Sequence, residues 1–326
     1  MTTTEPEPPA KRRSGLRRWL RTGMVLVAVG LGVAAIASQW SGFSEALGNM
    51  HPMPVLASGV LVLAAMVASM LAWRVLLADL GSPLPLPVAA RVFFVSQLGK
   101  YVPGKVWMFV AQVELGREHN VPARRSAVVG MLTLMLTVAT GLIVPLAILP
   151  FLDVAAFARF WWAFIFVPVL LVLLHPKLLN PLIRLAFKLI RKQPPEEPLT
   201  FGGIARSVFW MLVCWGFYGL HLWVLIRDLG ATEAKAVPLA IAAFALSWTI
   251  GFLVLITPAG AGAREAALVV VLGQVMVQPV ALLAALVSRA LLTIADLVLA
   301  GGGVLASKRH QQKVQATQEP EPANQH

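Results

Sequence analysis

Long apolar runs dominate this chain and restrict it to folds that a lipid bilayer can hold. Of its 326 residues, 58% are hydrophobic and only 13% are charged, whereas a soluble domain carries about 25% charged residues. Several runs reach the roughly 20 residues that a helix needs to cross the hydrocarbon core. Because a spanning segment must satisfy its own backbone hydrogen bonds, helices are the expected structure. The sequence therefore predicts an all-α polytopic membrane protein.

Six apolar runs predict complete transmembrane helices, and two further runs are interrupted. The complete ones lie at residues 22–40, 54–80, 126–149, 160–174, 204–226 and 281–306. The interrupted runs, at 88–113 and 237–277, are predicted to be re-entrant; if both cross fully, the chain has eight spans. A cleaved signal peptide is the alternative for the first run, because Ala35-Ile36-Ala37 resembles a peptidase site.

The basic residues cluster beside the apolar runs. The formal net charge is +12, and its placement follows the positive-inside pattern with attraction to anionic lipid. This placement argues against a nucleic-acid partner. It predicts a multi-pass protein of the plasma membrane with both termini in the cytoplasm. The chain divides into a disordered basic segment at 1–21, a membrane domain at 22–306 and a disordered cytoplasmic tail at 307–326.

Residues 177–192 have a different, amphipathic pattern. Basic residues recur at helical spacing along one side, at Arg184, Lys188 and Arg191. Leucines recur at the same spacing on the opposite side: Leu178, Leu182, Leu185 and Leu189. The pattern predicts a helix lying on the inner leaflet.

Two parts of the chain repeat the same order of motifs. Residues 76–81, ending in Asp-Leu-Gly, precede Pro87 and then a Pro-Gly interruption. Residues 225–230, with the same ending, precede Pro238 and a second interruption. The first copy follows a span running inward and the second a span running outward, which predicts an inverted repeat. Chance similarity within apolar sequence is the alternative.

The first interruption places two lysines inside an apolar run. Pro103 and Gly104 break the backbone there, and Lys100, Tyr101 and Lys105 flank the break. Broken backbone at membrane depth is tolerated only where it is buried in protein or lines a wet cavity. One interpretation is that the lysines and the freed amides bind the phosphate of a lipid headgroup. The other is that lysines and aromatic residues anchor the segment at the interface.

The second interruption and the last span carry the other candidate groups. Arg264 and Glu265 follow the second break, where Glu265 either offsets its helix dipole or serves a substrate or proton. Arg289, Thr293 and Asp296 share one helical face, as a polar path or as a structural ion pair. A weaker supporting group is expected near the cytoplasmic mouth: Arg74, Asp79, Arg91, Gln97 and Glu114.

Enzyme chemistry finds little support in the sequence. The six histidines are scattered without metal-ligand spacing, and neither a P-loop nor a Gly-x-Ser-x-Gly motif occurs. A buried active site on Glu265 or Asp296 has no second group to complete it. We predict a protein that is not an enzyme and that has no cofactor or metal.

Three stretches together resemble a known family. Residues 97–107 (QLGKYVPGKVW), the basic loop at 116–125 and residues 258–265 (PAGAGARE) are similar to the lysylphosphatidylglycerol synthase transmembrane, flippase-like family. The resemblance covers about residues 22–306. It implies a lipid-translocating membrane domain, which bifunctional members join to a cytosolic aminoacyl transferase. Since this chain ends soon after its last predicted span, we expect a stand-alone membrane domain.

These features lead to three functional hypotheses. The first is translocation between leaflets of a phosphate-containing lipid: an anionic or aminoacylated phospholipid, or a polyprenyl phosphate. Its headgroup would bind Lys100, Tyr101, Pro103, Gly104, Lys105, Arg264 and Glu265, with Arg74, Arg91, Gln97, Glu114, Arg289 and Asp296 supporting the path. The second is a non-transporting lipid-binding scaffold for a separate synthase or glycosyltransferase. The third is a transporter of small solutes, which inverted repeats also suit.

Overall fold

The structure is a computed structural model that describes residues 44–45, 47–101, 106–152, 169, 172–189, 191–254, 260 and 262–318. Outside these residues lie the predicted disordered segment at 1–21, the predicted span at 22–40 and most of the predicted span at 160–174. Three candidate site residues, Pro103, Gly104 and Lys105, also lie outside them.

Nine helices of ten residues or more make up the described part of the chain. They are α1 (Pro52–Asp79), α2 (Leu86–Gln97), α3 (Trp107–Arg117), α4 (Ala123–Leu152), α5 (Pro176–Leu189), α6 (Phe201–Asp228), α7 (Ala236–Leu253), α8 (Ala263–Leu272) and α9 (Gln278–Gln318). A 3-10 turn, Leu98–Tyr101, continues α2. The all-helical, polytopic prediction is confirmed.

Five of these helices are long and apolar enough to cross a membrane: α1, α4, α6, α7 and α9. Four of them coincide with predicted spans. The fifth, α7, is the first arm of the second interrupted run. With 18 residues it reaches span length, which the prediction of a re-entrant segment did not anticipate. The arms of the first interrupted run are shorter, with 12 and 11 residues, and its re-entrant course stays a prediction.

Helices α1 and α6 lie at the centre of the bundle. They pack against each other and are joined by hydrogen bonds at both ends. The carboxylate of Asp79, the last residue of α1, accepts hydrogen bonds from Thr200 N (2.7 Å) and Thr200 Oγ1 (2.6 Å) at the start of α6. The carboxylate of Asp228, the last residue of α6, contacts His51 N (2.9 Å) and His51 Nδ1 (2.8 Å) at the start of α1. The helices are therefore antiparallel.

Both helices also end in the same way. Each has 28 residues and is followed by a leucine and a glycine. Gly81 (φ 76°) and Gly230 (φ 100°) take the left-handed conformation, which glycine adopts without a steric penalty. In each case the next amide reaches back five residues to a carbonyl, as in a Schellman motif. The two Asp-Leu-Gly copies thus occupy equivalent places at opposite ends of an antiparallel pair, as an inverted repeat requires.

Small residues allow close helix packing around this pair. A Cβ atom added at Gly219 of α6 would lie 2.1 Å from Ile241 Cγ1 of α7, so only glycine fits this contact. Such small-residue contacts replace the hydrophobic drive that helices lack in lipid. Trp73, Trp215 and Phe244 are among the largest fully buried side chains.

Two peripheral elements differ from their predictions. Helix α9 continues to Gln318, so residues 307–318 of the predicted disordered tail are helical. Helix α5 forms as predicted, and its leucine row is exposed, from 42% at Leu178 to 76% at Leu189. However, α5 ends at Leu189 and Arg191 has φ 54°. Arg191 therefore does not extend the helical face of Arg184 and Lys188.

Candidate functional site

A cavity of about 180 Å³ lies inside the bundle, beside the points where the two apolar runs are interrupted. Helix α1 lines it from Met66 to Trp73, which at 1.5 Å per residue is about 9 to 20 Å along the helix from Asp79. The hydrocarbon core is about 30 Å thick, so the cavity lies at membrane depth. Its polar lining includes Gln97, Gln112 and Thr137.

The first interrupted run supplies a cation and a phenol to this cavity. At the end of α2, the 3-10 turn carries Lys100 and Tyr101 inward. Lys100 Nζ lies 2.6 Å from Asp296 Oδ2 of α9, and Tyr101 OH donates to the same oxygen at 2.6 Å. Asp296 is almost fully buried, with its side chain 5% exposed, whereas Lys100 is 31% exposed. A buried carboxylate is therefore held by two donors from the first break.

The second interrupted run supplies a carboxylate instead. Glu265, in the first turn of α8, forms an ion pair with Arg289 of α9. Its other oxygen accepts a hydrogen bond from the Gly262 amide at 2.7 Å, so it also offsets the positive end of the α8 dipole. The dipole role that the sequence suggested for Glu265 is thus present together with an ion pair.

Helix α9 is the element that connects both breaks. Arg289, Thr293 and Asp296 all line the cavity, which confirms that they share one helical face. Arg289 and Asp296 do not pair with each other, and Thr293 Oγ1 donates to the Arg289 carbonyl at 3.0 Å. Instead, Asp296 contacts the first break and Arg289 contacts the second. A movement of either break relative to α9 must therefore open an ion pair.

Arg264 is held differently from the other charged residues. Its Cζ lies 4.6 Å from the ring centroid of Phe244, a cation–π distance. Its Nη2 is buried and has no hydrogen-bond partner in the described part of the chain. Two glycines bring the backbone close here: a Cβ at Gly251 would lie 2.9 Å from Arg264 Cβ, and one at Gly260 would lie 2.7 Å from Gly251 O.

The described charged groups at the cavity sum to one positive charge. The cations are Lys100, Arg264 and Arg289. The carboxylates are Asp296, which lines the cavity, and Glu265, which contacts it through Arg289. Since two cations are matched by two carboxylates, Arg264 carries the excess charge. The arrangement suits an anionic group better than a cationic one.

Three supporting residues do not join this site. Arg74 Nε donates to Leu84 O at 2.8 Å, which fixes the α1–α2 connection. Arg91 pairs with Glu118 (2.8 Å) and Glu114 pairs with Arg117 (2.9 Å), in both cases with an exposed carboxylate. Each of these side chains has a partner outside the cavity and none of them lines it, so their place on the polar path stays a prediction. Gln97 alone of the supporting residues near the cytoplasmic mouth lines the cavity.

Several lining residues were missed because they are ordinary members of apolar runs. Trp73, Tyr218 and Trp248 line the cavity from α1, α6 and α7. Nothing in the local sequence separates them from the tryptophans and tyrosines of a lipid interface. Only their position on three helices that meet at the two breaks identifies them.

Sequence comparison now adds to this geometry. The family model for the lysylphosphatidylglycerol synthase TM region matches residues 22–300. The chain belongs to this family. Both breaks, the connecting face of α9 and the cavity all lie within the matched residues. Among curated proteins, no sequence matches the chain. The family is that of a transmembrane region associated with lipid metabolism or flipping.

Proposed function

We propose that this protein moves a phosphate-containing lipid between the leaflets of the plasma membrane. The observation that carries the proposal is the cavity at membrane depth. The two interruptions bring charged side chains together there. A polar headgroup needs such a place to cross the hydrocarbon core, since an unpartnered charge there is expensive. The acyl chains would remain in the bilayer throughout.

The ion pairs on α9 suggest how a headgroup passes. A phosphate entering the cavity can accept hydrogen bonds from Lys100 and Tyr101, both of which contact Asp296 without it. Loss of the Asp296 contacts would free the first break, whereas the Glu265–Arg289 pair would still hold the second. Opening one pair at a time would expose the cavity to one leaflet at a time.

The membrane potential favours an anionic cargo. Moving one positive charge outward against 100 mV costs about 2.3 kcal/mol, and an anionic lipid moves outward downhill by the same amount. The sequence contains no P-loop to supply energy from ATP. An anionic phospholipid or a polyprenyl phosphate therefore fits better than an aminoacylated, cationic lipid.

Leaflet exchange in liposomes tests the proposal. We would reconstitute the purified protein and follow labelled phosphatidylglycerol, its lysyl form and a polyprenyl phosphate. Exchange of one lipid should be faster than in empty liposomes and should fall at least about tenfold with Lys100→Gln, because that change removes a charge-assisted donor. Lys235→Gln is the matched control, since Lys235 pairs only with the nearby Glu233 in a loop.

A lipid-binding scaffold is the second candidate. The exposed leucine row of α5, from Leu178 to Leu189, with Arg184 and Lys188 on the same helix, would rest on the membrane beside a separate synthase or glycosyltransferase. Folded protein that binds lipid but exchanges none of the three lipids would favour this candidate over the first.

A further inference from the structure

Two buried hydrogen-bond donors at the cavity are without partners in the described part of the chain. Trp73 is 1% exposed, and its indole Nε1 has no hydrogen-bond partner. Arg264 Nη2 is likewise buried and unpartnered. Native proteins leave few buried polar groups unpaired, and a specific exception calls for an explanation. Both residues line the same cavity, so a ligand that displaces the side chains covering these two atoms would give both a partner.

The other two described cations at the cavity and the phenol of Tyr101 already have partners. Lys100 and Tyr101 contact Asp296, and Arg289 contacts Glu265. The unpartnered pair comes from two separate elements, α1 and α8. An indole N–H and a guanidinium can donate but cannot accept. A group bound between them must therefore present acceptor oxygens.

The unpaired positive charge at the cavity restricts the kind of ligand further. Among the described charged side chains at the cavity, only Arg264 lacks a carboxylate partner within ion-pair distance, because Lys100 and Arg289 each have one. The site therefore balances one negative charge. A phosphodiester carries a single charge, whereas a phosphomonoester approaches two above its second pKa of about 6.

We propose that Trp73 and Arg264 form a subsite for the singly charged phosphodiester of a membrane lipid. The indole N–H and the guanidinium donate to the two non-bridging oxygens, and Phe244 holds the guanidinium from behind. This inference rests on the proposed function in taking a lipid as the cargo. It goes beyond that function in its residues, because Trp73 and Arg264 would bind the phosphate in addition to Lys100 and Tyr101.

Phosphatidylmethanol and phosphatidic acid differ by one methyl group, and comparing them tests whether the site prefers a single negative charge. The full-length protein in detergent at about pH 8.5 would be titrated with phosphatidylmethanol, phosphatidic acid and phosphatidylcholine of identical acyl chains, where phosphatidic acid is close to doubly charged. Binding would be measured by native mass spectrometry. Phosphatidylmethanol should bind at least about tenfold more tightly than either other lipid, because only its charge matches Arg264. Equal or tighter binding of phosphatidic acid would overturn the proposal.

Two variants test the residues themselves. Arg264→Gln should weaken phosphatidylmethanol binding about 10- to 100-fold through loss of a charge-assisted bond. Trp73→Phe keeps the aromatic bulk and removes the N–H, so about 3- to 10-fold weaker binding is expected. Trp215→Phe is the matched control, because Trp215 Nε1 donates to Thr140 Oγ1 at 2.9 Å. Arg206→Gln, outside the cavity, controls for charge. Unchanged binding in both cavity variants would also overturn the proposal.

The wild-type lipid ranking needs no variant, so a variant that fails to fold does not remove the test. Binding and exchange also separate the two proposals. Selective binding without leaflet exchange would leave the subsite in place and remove the translocation function. Exchange that is insensitive to Arg264→Gln would leave translocation in place and remove the subsite.

Discussion

The two interrupted regions occupy equivalent places in the repeat and differ in length and in charge. The first has arms of 12 and 11 residues, α2 and α3. The second has arms of 18 and 10 residues, α7 and α8. The first offers Lys100 to a carboxylate of α9, and the second offers Glu265 to an arginine of α9. The sign of the contact with α9 is thus reversed between the two breaks.

This reversal lets one helix hold both breaks without a large excess of charge. If both breaks carried cations, α9 would need two carboxylates on one face, and like charges that close oppose each other's ionisation. With opposite signs, α9 carries Arg289 and Asp296, seven residues apart and on the same face. The breaks can then be released by different ligand groups: an anion competes with Asp296, and a cation competes with Arg289.

The largest expected effect is a loss of folding stability from backbone strain, and it should differ between the two breaks. Gly260→Ala places a Cβ 2.7 Å from Gly251 O at φ 71°, so we expect a loss of about 2 to 5 kcal/mol from left-handed strain and overpacking. Gly99→Ala in the first break meets Met108 N at 2.5 Å without a positive φ. It should cost less.

Thermal unfolding of the purified variants measures both losses. Gly216→Ala is the control, since nothing lies within 4 Å of its added Cβ. A larger loss for Gly99→Ala than for Gly260→Ala would show that the first break is the more tightly constrained of the two.

The next effect tests the opposite signs directly. Asp296→Asn leaves Lys100 without its carboxylate, and Glu265→Gln leaves Arg289 without its own. Breaking a buried pair costs about 3 to 5 kcal/mol, and partial exposure of both cations lowers the expected loss to about 1 to 3 kcal/mol. Stability of each variant at low and high salt measures the loss. A double-mutant cycle of Lys100→Met with Asp296→Asn should show coupling, and additive losses would contradict the pairing.

A smaller effect tests the symmetry of the α1–α6 pair, which the two breaks do not share. Asp79→Ala and Asp228→Ala each remove two hydrogen bonds at the ends of the α1–α6 pair. Each should cost about 1 to 2 kcal/mol, as the loss of a helix cap does. Chemical denaturation in detergent would compare them. Equal losses support a true repeat, whereas a cost at only one end would make the resemblance superficial.

The smallest effect concerns Glu114, which pairs with Arg117 outside the cavity. Glu114→Gln should change leaflet exchange less than about twofold, because exposed ion pairs such as Glu114–Arg117 contribute little. The liposome assay with labelled phosphatidylglycerol measures it. A tenfold loss would support the predicted place of Glu114 on the polar path.

The sequence predicts the bundle well because span length, charge placement and the Asp-Leu-Gly repeat are local signals. It also predicts the face of Arg289, Thr293 and Asp296, since helical spacing alone decides it. It does not predict which charges meet: Asp296 pairs with Lys100 across 196 positions of chain, and that choice depends on packing. The sequence does not identify Trp73, because the lack of a hydrogen-bond partner for its Nε1 is visible only in the folded structure.

The reciprocal clamps at the two ends of α1 and α6 have a consequence for how the protein enters the membrane. A helix pair closed by Asp79 at one end and Asp228 at the other presents nearly the same structure to both sides. The pair therefore gives the insertion machinery little orientation information. That information must come from basic residues near the helix ends, such as Arg124 and Arg125 in the first turn of α4, which both contact Glu196 at the Asp79 end. On this argument, we expect a few arginines to set the orientation of the whole bundle in the membrane.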